Sequence, residues 1–159
     1  MTKFDFEDGN GPVPAHQHSN GGGWVADTAE VSDTAFVGPY AKVFGIAQVY
    51  HNALIHGHAQ VYDNALVCDN AEIYGHAKVS GKAKVSGQAW VYDNALVYDN
   101  ALVFDYAKVY GNALVFANAR VSGIAVVCTG IHAGVSGEDK VEKDRIFING
   151  KWYEEVKDD

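Results

Sequence analysis

The sequence predicts an all-β protein built as a parallel β-helix, and three observations lead to this fold. A unit of six residues repeats without insertion from Gly23 to Gly130, which gives eighteen consecutive copies. The first residue of every copy after the first is Ala, and the third is always Val or Ile. The last two residues are mostly turn formers such as Gly, Asp and Asn. A period of six fits neither an α-helix nor a heptad coiled coil, and hexapeptide repeats are typical of parallel β-helices.

Three repeats are expected to form one triangular coil, so the eighteen repeats predict six stacked coils. In each short strand the first and third side chains point the same way, which places columns of Ala and of Val or Ile in a narrow interior. Each corner needs left-handed backbone, which Gly and Asn adopt at low cost. The corner residues are Asp63–Asn64, Asp69–Asn70, Asp93–Asn94, Asp99–Asn100 and Gly111–Asn112, with Gly at 45, 57, 75, 81, 87 and 123.

The two ends of the chain depart from the repeat and divide it into three parts. Residues 1–22 are rich in Gly, Pro and His and are predicted to form an irregular N-terminal cap or arm. Residues 23–130 are predicted to form the β-helix. Residues 131–159 are predicted to be a linker and a C-terminal β-hairpin, because Asn149–Gly150 separates two alternating apolar runs. The hairpin would cover the last coil or a neighbouring subunit, since an open strand edge invites aggregation.

Composition limits the possible partners. A chain of 159 residues predicts one domain, and a net charge of −8 argues against binding a nucleic-acid polymer. The acidic start is unlike a signal peptide, and no apolar stretch is long enough to cross a membrane. Cys68 and Cys128 fall on different predicted faces and should not pair. A cytoplasmic, reducing location is therefore expected.

The repeats, for example Ala41 to Ile46 and Ala95 to Asn100, resemble the hexapeptide-repeat β-helix superfamily, which includes acyltransferases and γ-class carbonic anhydrases. That resemblance covers residues 23–130. It implies a single-stranded left-handed helix and a homotrimer. The segment from Pro12 to Thr28 is similar to short phage and bacterial hexapeptide proteins classed as transferase-like. The motif is specific for the fold and only weakly specific for an activity.

Large apolar side chains occupy the second and fourth positions of many repeats, which alternation sends outward. They are Leu96, Tyr98, Leu114 and Phe116 on the first face, Leu66, Leu102 and Phe104 on the second, and Phe36, Leu54, Tyr74, Trp90, Tyr92 and Tyr110 on the third. So much exposed apolar surface exceeds what a monomer usually shows and predicts a homotrimer. The alternative is that aromatic residues merely suit strand surfaces.

The favoured function is a non-catalytic binding protein, phage or bacterial, that holds a small ligand at its subunit seams. A nucleotide signal is one candidate, and no cofactor is expected. Aromatic rings would stack on a base or a sugar, and lysines would hold phosphate. The predicted ligand-binding residues are Tyr74, Trp90, Tyr92, Tyr110, Lys78, Lys82 and Lys84. An inert scaffold or a protein-binding scaffold would show the same pattern.

Two enzyme classes are the alternatives. An acyltransferase would use acetyl-CoA and a histidine as general base, with His16, His18, His56 and His76 as candidates that no acid partner distinguishes. The stretch from His51 to His56 resembles the zinc-binding stretch of γ-class carbonic anhydrases, which implies ligands at different subunit interfaces. Five extended residues span about 16 Å, so these two histidines could not bind one ion within a chain. The same resemblance implies an arginine near the subunit seam, but Arg120 and Arg145 lie far downstream of these histidines. A zinc site is therefore the least expected of the three functions.

Overall fold

The computed structural model of the chain describes residues 1–129 and the strand segments 131–132, 140–142, 145–148 and 151–154. Its described part is all β, with no helix, and forms a parallel β-solenoid of about six turns. This confirms the predicted fold class. Three sheets form its sides, and their outer surfaces are called the first, second and third faces below.

From the strand at Trp24–Ala26 to the strand at Lys108–Val109, each strand of the solenoid pairs in parallel with the strand that follows eighteen residues later, as Leu66 does with Lys84. The first sheet, in spatial order, contains β1 (Lys3–Phe4), β2 (Val13–Gln17), β3 (Trp24–Ala26), β6 (Lys42–Val43), β9 (Gln60–Val61), β12 (Lys78–Val79), β15 (Leu96–Val97), β18 (Leu114–Val115) and β21 (Ile131–His132). The second contains β4 (Glu30–Val31), β7 (Gln48–Val49), β10 (Leu66–Val67), β13 (Lys84–Val85), β16 (Leu102–Val103) and β19 (Arg120–Val121). The third contains β5 (Phe36–Val37), β8 (Leu54–Ile55), β11 (Glu72–Ile73), β14 (Trp90–Val91), β17 (Lys108–Val109), β20 (Val126–Val127), β22 (Lys140–Glu142), β23 (Arg145–Ile148) and β24 (Lys151–Glu154).

The interior contains the two side-chain columns that the repeat predicts. From Ala35 onward, the Ala at the first position and the Val or Ile at the third are almost completely buried in every copy through Val127. Ala29 and Val31 are only partly buried, because β4 is the terminal strand of the second sheet. A charged side chain at any of the buried positions would have no polar partner.

The corners differ from the prediction in which residue adopts left-handed backbone. Every fifth-position residue from Gly45 to Gly123 has positive φ, whereas the Asn at the sixth position does not. Where the fifth residue is Asp, its side chain also bonds the next coil: Asp63 has a φ of 57°, and its carboxylate accepts a hydrogen bond from the amide of Gly81 at 3.1 Å. Gly81 in turn needs to lack a side chain, because a Cβ there would lie 2.7 Å from the amide nitrogen of Asp99.

The N-terminal flank is more regular than an irregular arm. Strands β1 and β2 pair antiparallel, and β2 pairs antiparallel with β3, so the flank extends the first sheet by two strands. Its side chains form a second, smaller apolar cluster, which includes Phe6 and Phe44 and is packed against Phe4, Trp24 and Tyr62. The flank, called the N-terminal arm below, therefore covers the first face of the early coils.

The third sheet continues past the last coil. Strand β22 pairs in parallel with β20, and β23 pairs antiparallel with both β22 and β24. Strands β23 and β24 are the two arms of the predicted hairpin, while its turn at 149–150 lies outside the described residues. Within the described part of the chain, no helix is long and apolar enough to cross a membrane.

Candidate functional site

The aromatic row predicted on the third face is a continuous stack of rings. His56 and Tyr74 have ring centroids 5.1 Å apart, Tyr74 and Tyr92 are 4.8 Å apart, and Tyr92 and Tyr110 are 4.9 Å apart. The planes of successive rings deviate by 7° or less. The stack arises because these residues share the fourth position of successive repeats, and parallel pairing places equal positions directly above one another.

Stacking within the row limits how it can contact a ligand. Both faces of Tyr74 and of Tyr92 are taken by neighbouring rings, so a ligand would meet ring edges and hydroxyl groups instead of ring faces. Burial raises the pKa of Tyr92 to about 12, and the neighbouring Tyr74 and Tyr110 add to the rise. Burial also raises the pKa of Tyr74. The phenols therefore remain hydrogen-bond donors across the physiological pH range.

A second stack runs beside the first along the corner that joins the third and first faces. Tyr40 and His58 have ring centroids 5.3 Å apart, and His58 and His76 are 5.0 Å apart. In the second and third coils, only a glycine, Gly57 or Gly75, separates the two stacks along the chain. We call the surface formed by His56, His58, Glu72, Tyr74, His76 and Tyr92 the histidine–tyrosine corner.

Glu72 gives His56 the acid partner that the sequence did not identify. The Nε2 of His56 lies 2.7 Å from the Oε1 of Glu72, and both side chains are partly buried. His56 is at the fourth position of its repeat, and Glu72 is at the second position of the third-face repeat in the next coil, so the two are diagonal neighbours on one face. A comparison of fourth positions with second positions one coil later would have predicted this pair.

The other candidate histidines have separate environments. His16 is exposed, with its Nδ1 2.8 Å from the Oδ1 of Asp27. His18 is 5% exposed and donates to the carbonyl of Ala35 at 3.0 Å, which makes it part of the arm's attachment. His76 lies exposed at the end of the corner stack.

The two metal candidates are not brought together within the chain. His51 lies at the corner between the second and third faces, and its Nδ1 is 3.1 Å from the Oδ1 of Asp69. His56 lies at the fourth position of the following repeat and forms a hydrogen bond with Glu72. Among the described residues, no group of three or more His, Cys, Asp and Glu side chains could hold a metal ion. Cys68 and Cys128 lie on different faces and are not joined by a disulfide.

The predicted lysine cluster is spread around one corner. Lys78 projects from β12 on the first face, Lys84 from β13 on the second, and Lys82 from the corner between them. Lys82 lies in an open groove of about 720 Å³ lined mainly by corner residues of five coils. Lys78 and Lys84 therefore project from different faces, and the three lysines do not surround one phosphate-sized space.

Trp90 lies apart from the aromatic stack, at a second position of the third face. Its ring is covered by Lys108, whose Nζ lies 4.6 Å from the ring centroid. The side chain is 38% exposed. One face of this ring is thus occupied by a cation of the same chain, which leaves less of it for a ligand than the sequence suggested.

Comparison with known proteins identifies a repeat type. The model of the YdcK beta solenoid repeat matches residues 59–71 and 107–123. This match agrees with the observed parallel β-solenoid. No curated protein and no solved structure matches the chain.

Proposed function

We propose that the protein is a non-catalytic binding protein that assembles as a homotrimer and holds a small polar ligand, such as a nucleotide, at the histidine–tyrosine corner. The observation that carries this proposal is the pair of adjacent ring stacks, which gathers imidazole and phenol groups outside the interior. The interior is filled by Ala, Val and Ile, so the fold does not need these rings.

The chemistry of the corner suits phosphate and hydroxyl groups. Phenol hydroxyls donate hydrogen bonds, and imidazoles donate or accept them. Glu72 holds the ring of His56 in one orientation. Lys78, two residues after His76, adds an exposed positive charge on the first-face side of the corner. Recognition would rest on these edge groups, because neighbouring rings cover the faces of Tyr74 and Tyr92.

The trimer is supported by apolar side chains on the first face beyond the N-terminal arm. Leu96, Tyr98, Leu114 and Phe116 are partly exposed there, and Tyr98 stacks on Phe116 with centroids 5.2 Å apart. This surface begins at Leu96, which follows Tyr92 around the edge between the third and first faces, and it extends over the two later coils. A neighbouring subunit packed on it would bury apolar area and enclose the ligand site at a seam.

The test combines native mass spectrometry with calorimetry. We expect a trimer of the 17.1 kDa chain that binds at least one of a panel of cyclic and linear nucleotides. Tyr92→Phe removes one hydroxyl and keeps the ring stack, and it should weaken binding about tenfold if that hydroxyl bonds a charged ligand group. The control is Tyr50→Phe, on the second face, which should not change binding. A monomer that binds no nucleotide would contradict the proposal.

The His56–Glu72 pair also favours a second candidate, an acyltransferase that uses acetyl-CoA. A histidine oriented by a carboxylate is a suitable general base, and its loss should lower turnover by about a hundredfold or more. His56→Ala would then abolish acetyl transfer to an amine or hydroxyl acceptor while acetyl-CoA still binds. Tight acetyl-CoA binding without nucleotide binding would replace the first proposal by this one.

A further inference from the structure

A separate cleft of about 290 Å³ opens where the N-terminal arm meets the first coils. Phe4 and Trp24 line one side of it, with ring centroids 4.4 Å apart and planes inclined by 16°. Tyr40 and His58, the start of the corner stack, line it as well. The cleft therefore brings together aromatic rings from the arm, from β3 and from the corner. We call it the arm cleft.

Lys42 supplies a positive charge to the arm cleft. Its side chain is 17% exposed, and its Nζ lies 2.6 Å from the Oε2 of Glu7. The same Nζ is 5.6 Å from the ring centroid of Phe4. A Lys side chain that packs along apolar surface still keeps its charged end beside water or an anionic partner. Here that partner comes from the arm itself.

Glu7 is an exposed partner for this ammonium group. Its side chain is 78% exposed, and its backbone has a φ of 62°, in the left-handed region between β1 and β2. An exposed carboxylate gains little from a single ion pair, because water competes for both charges. An anion that also gains ring contacts in the cleft would therefore displace it.

We propose that the arm cleft binds a planar aromatic compound carrying one anionic group, with the ring against Tyr40 and Trp24 and the anion on Lys42 in place of Glu7. The volume lies at the small end of ligand pockets, which suits one ring system and a short acidic substituent. The cleft is formed within one chain, so this site does not depend on the trimer, and it shares only His58 with the histidine–tyrosine corner.

Attachment of the arm does not account for the whole cleft. Packing of the arm on the solenoid explains why Phe4 and Trp24 are aromatic, because both rings pack against the second, smaller apolar cluster. Tyr40 lies outside that cluster and is 69% exposed although it stacks on His58. An exposed aromatic ring beside a lysine ammonium group suits a ligand that carries both a ring and an acidic group.

The first experiment is calorimetric titration of the full chain with AMP and with indole-3-acetate, two aromatic anions from different chemical classes. Adenosine and inorganic phosphate are the controls that carry the ring or the charge alone. We expect at least one of the two anions to bind, and each control to bind about tenfold more weakly because it loses one set of contacts. Failure of both anions to bind at about 1 mM, a free energy of only about −4 kcal/mol, would overturn the proposal.

The second experiment assigns the binding to the arm cleft. Lys42→Met should weaken binding of the anion about tenfold or more, whereas Glu7→Gln should strengthen it about two- to fivefold by removing the competing carboxylate. Arg120→Met is the control, because Arg120 is also a cation at the second position of a repeat and lies on the second face, outside the cleft. Equal losses in Lys42→Met and Arg120→Met, or weaker binding in Glu7→Gln, would overturn the assignment. Tyr92→Phe, the probe of the histidine–tyrosine corner, should leave this binding unchanged.

Discussion

The first face carries two aromatic pairs at equal repeat positions, and only one of them is covered. Phe44 and Tyr62 stack at 4.8 Å in the early coils, and Tyr98 and Phe116 stack at 5.2 Å in the late coils. Phe6 of the N-terminal arm packs on Phe44 at 4.9 Å and leaves it 6% exposed. The late pair has no part of the arm over it and stays partly exposed.

This difference shows that the repeat alone does not determine which surface is free. Both pairs stack because parallel pairing aligns equal positions. The early pair belongs to a small outer core, whereas the late pair lies on a surface that remains available to a second copy of the chain. Burying apolar area there contributes about 25 cal/mol for each Å². The late coils are therefore the better place for a subunit contact.

The largest loss of stability is expected from a charged side chain placed in the interior, which runs through both the early and the late coils. Val43→Asp in the early coils and Val97→Asp in the late coils should each cost several kcal/mol, comparable to the stability of a domain, because the carboxylate would have no partner. Thermal unfolding followed by circular dichroism checks this. The control is Lys78→Asp, at an outward position. A Val97→Asp variant with unchanged melting temperature would show that the third position is not interior.

A smaller loss of stability should distinguish the early pair, Phe44 and Tyr62, from the late pair, Tyr98 and Phe116. Phe6→Ala removes a ring that is 3% exposed and should lower the free energy of unfolding by about 3 kcal/mol at any protein concentration. Phe116→Ala should cost less than about 1 kcal/mol in dilute protein, since its ring is partly exposed. At concentrations that favour the trimer, the cost of Phe116→Ala should increase.

Urea unfolding at two protein concentrations measures the free energy of unfolding of Phe6→Ala and of Phe116→Ala. If Phe116→Ala has the same effect at the two concentrations, the late pair is not part of a subunit contact. If Phe6→Ala has no effect, the arm does not stabilise the early coils.

The repeat made the interior predictable down to single residues. Strand alternation is strict, so one residue at a known interior position fixes the direction of every other side chain in the repeat. The parallel sheets, the buried columns and the ring stack on the third face all follow from counting in sixes and in eighteens. The corners were less predictable, because Asp63–Asn64 offers two residues that tolerate left-handed backbone. The fifth position is left-handed whether it holds Asp, Gly, His or Ala, and the carboxylate of Asp63 adds a hydrogen bond to the next coil there.

The candidate site was predicted only in part, and the missing parts have physical reasons. The lysines were grouped because they are close in the sequence, but β12 and β13 belong to different sheets. Residues 1–22 have no period, so nothing in the sequence indicated that Phe6 would cover Phe44 or that Glu7 would bond Lys42. Both contacts depend on how an unrepeated segment folds over a repeated one.

The smallest expected loss of stability comes from breaking the ion pair between Glu7 of the arm and Lys42. The Lys42 ammonium, through its hydrogen bond and its charge, lowers the pKa of Glu7 below the usual 4.5. For a carboxyl group whose pKa is lowered by folding, the stabilising contribution is present above the usual pKa and is lost as the pH falls through the lowered one. Acid should therefore loosen the arm while the interior stays folded.

Hydrogen exchange of the β1 and β2 amides, compared between wild type and Glu7→Gln, measures this loosening. At about pH 6 the wild type should exchange more slowly than the variant, and at a pH far enough below 4.5 to protonate Glu7 the two should approach each other. Comparing the proteins at equal pH removes the intrinsic pH dependence of exchange. A wild type that stays equally protected relative to the variant at both pH values would show that the ring contacts of Phe4 and Phe6, and not the ion pair, hold the arm in place.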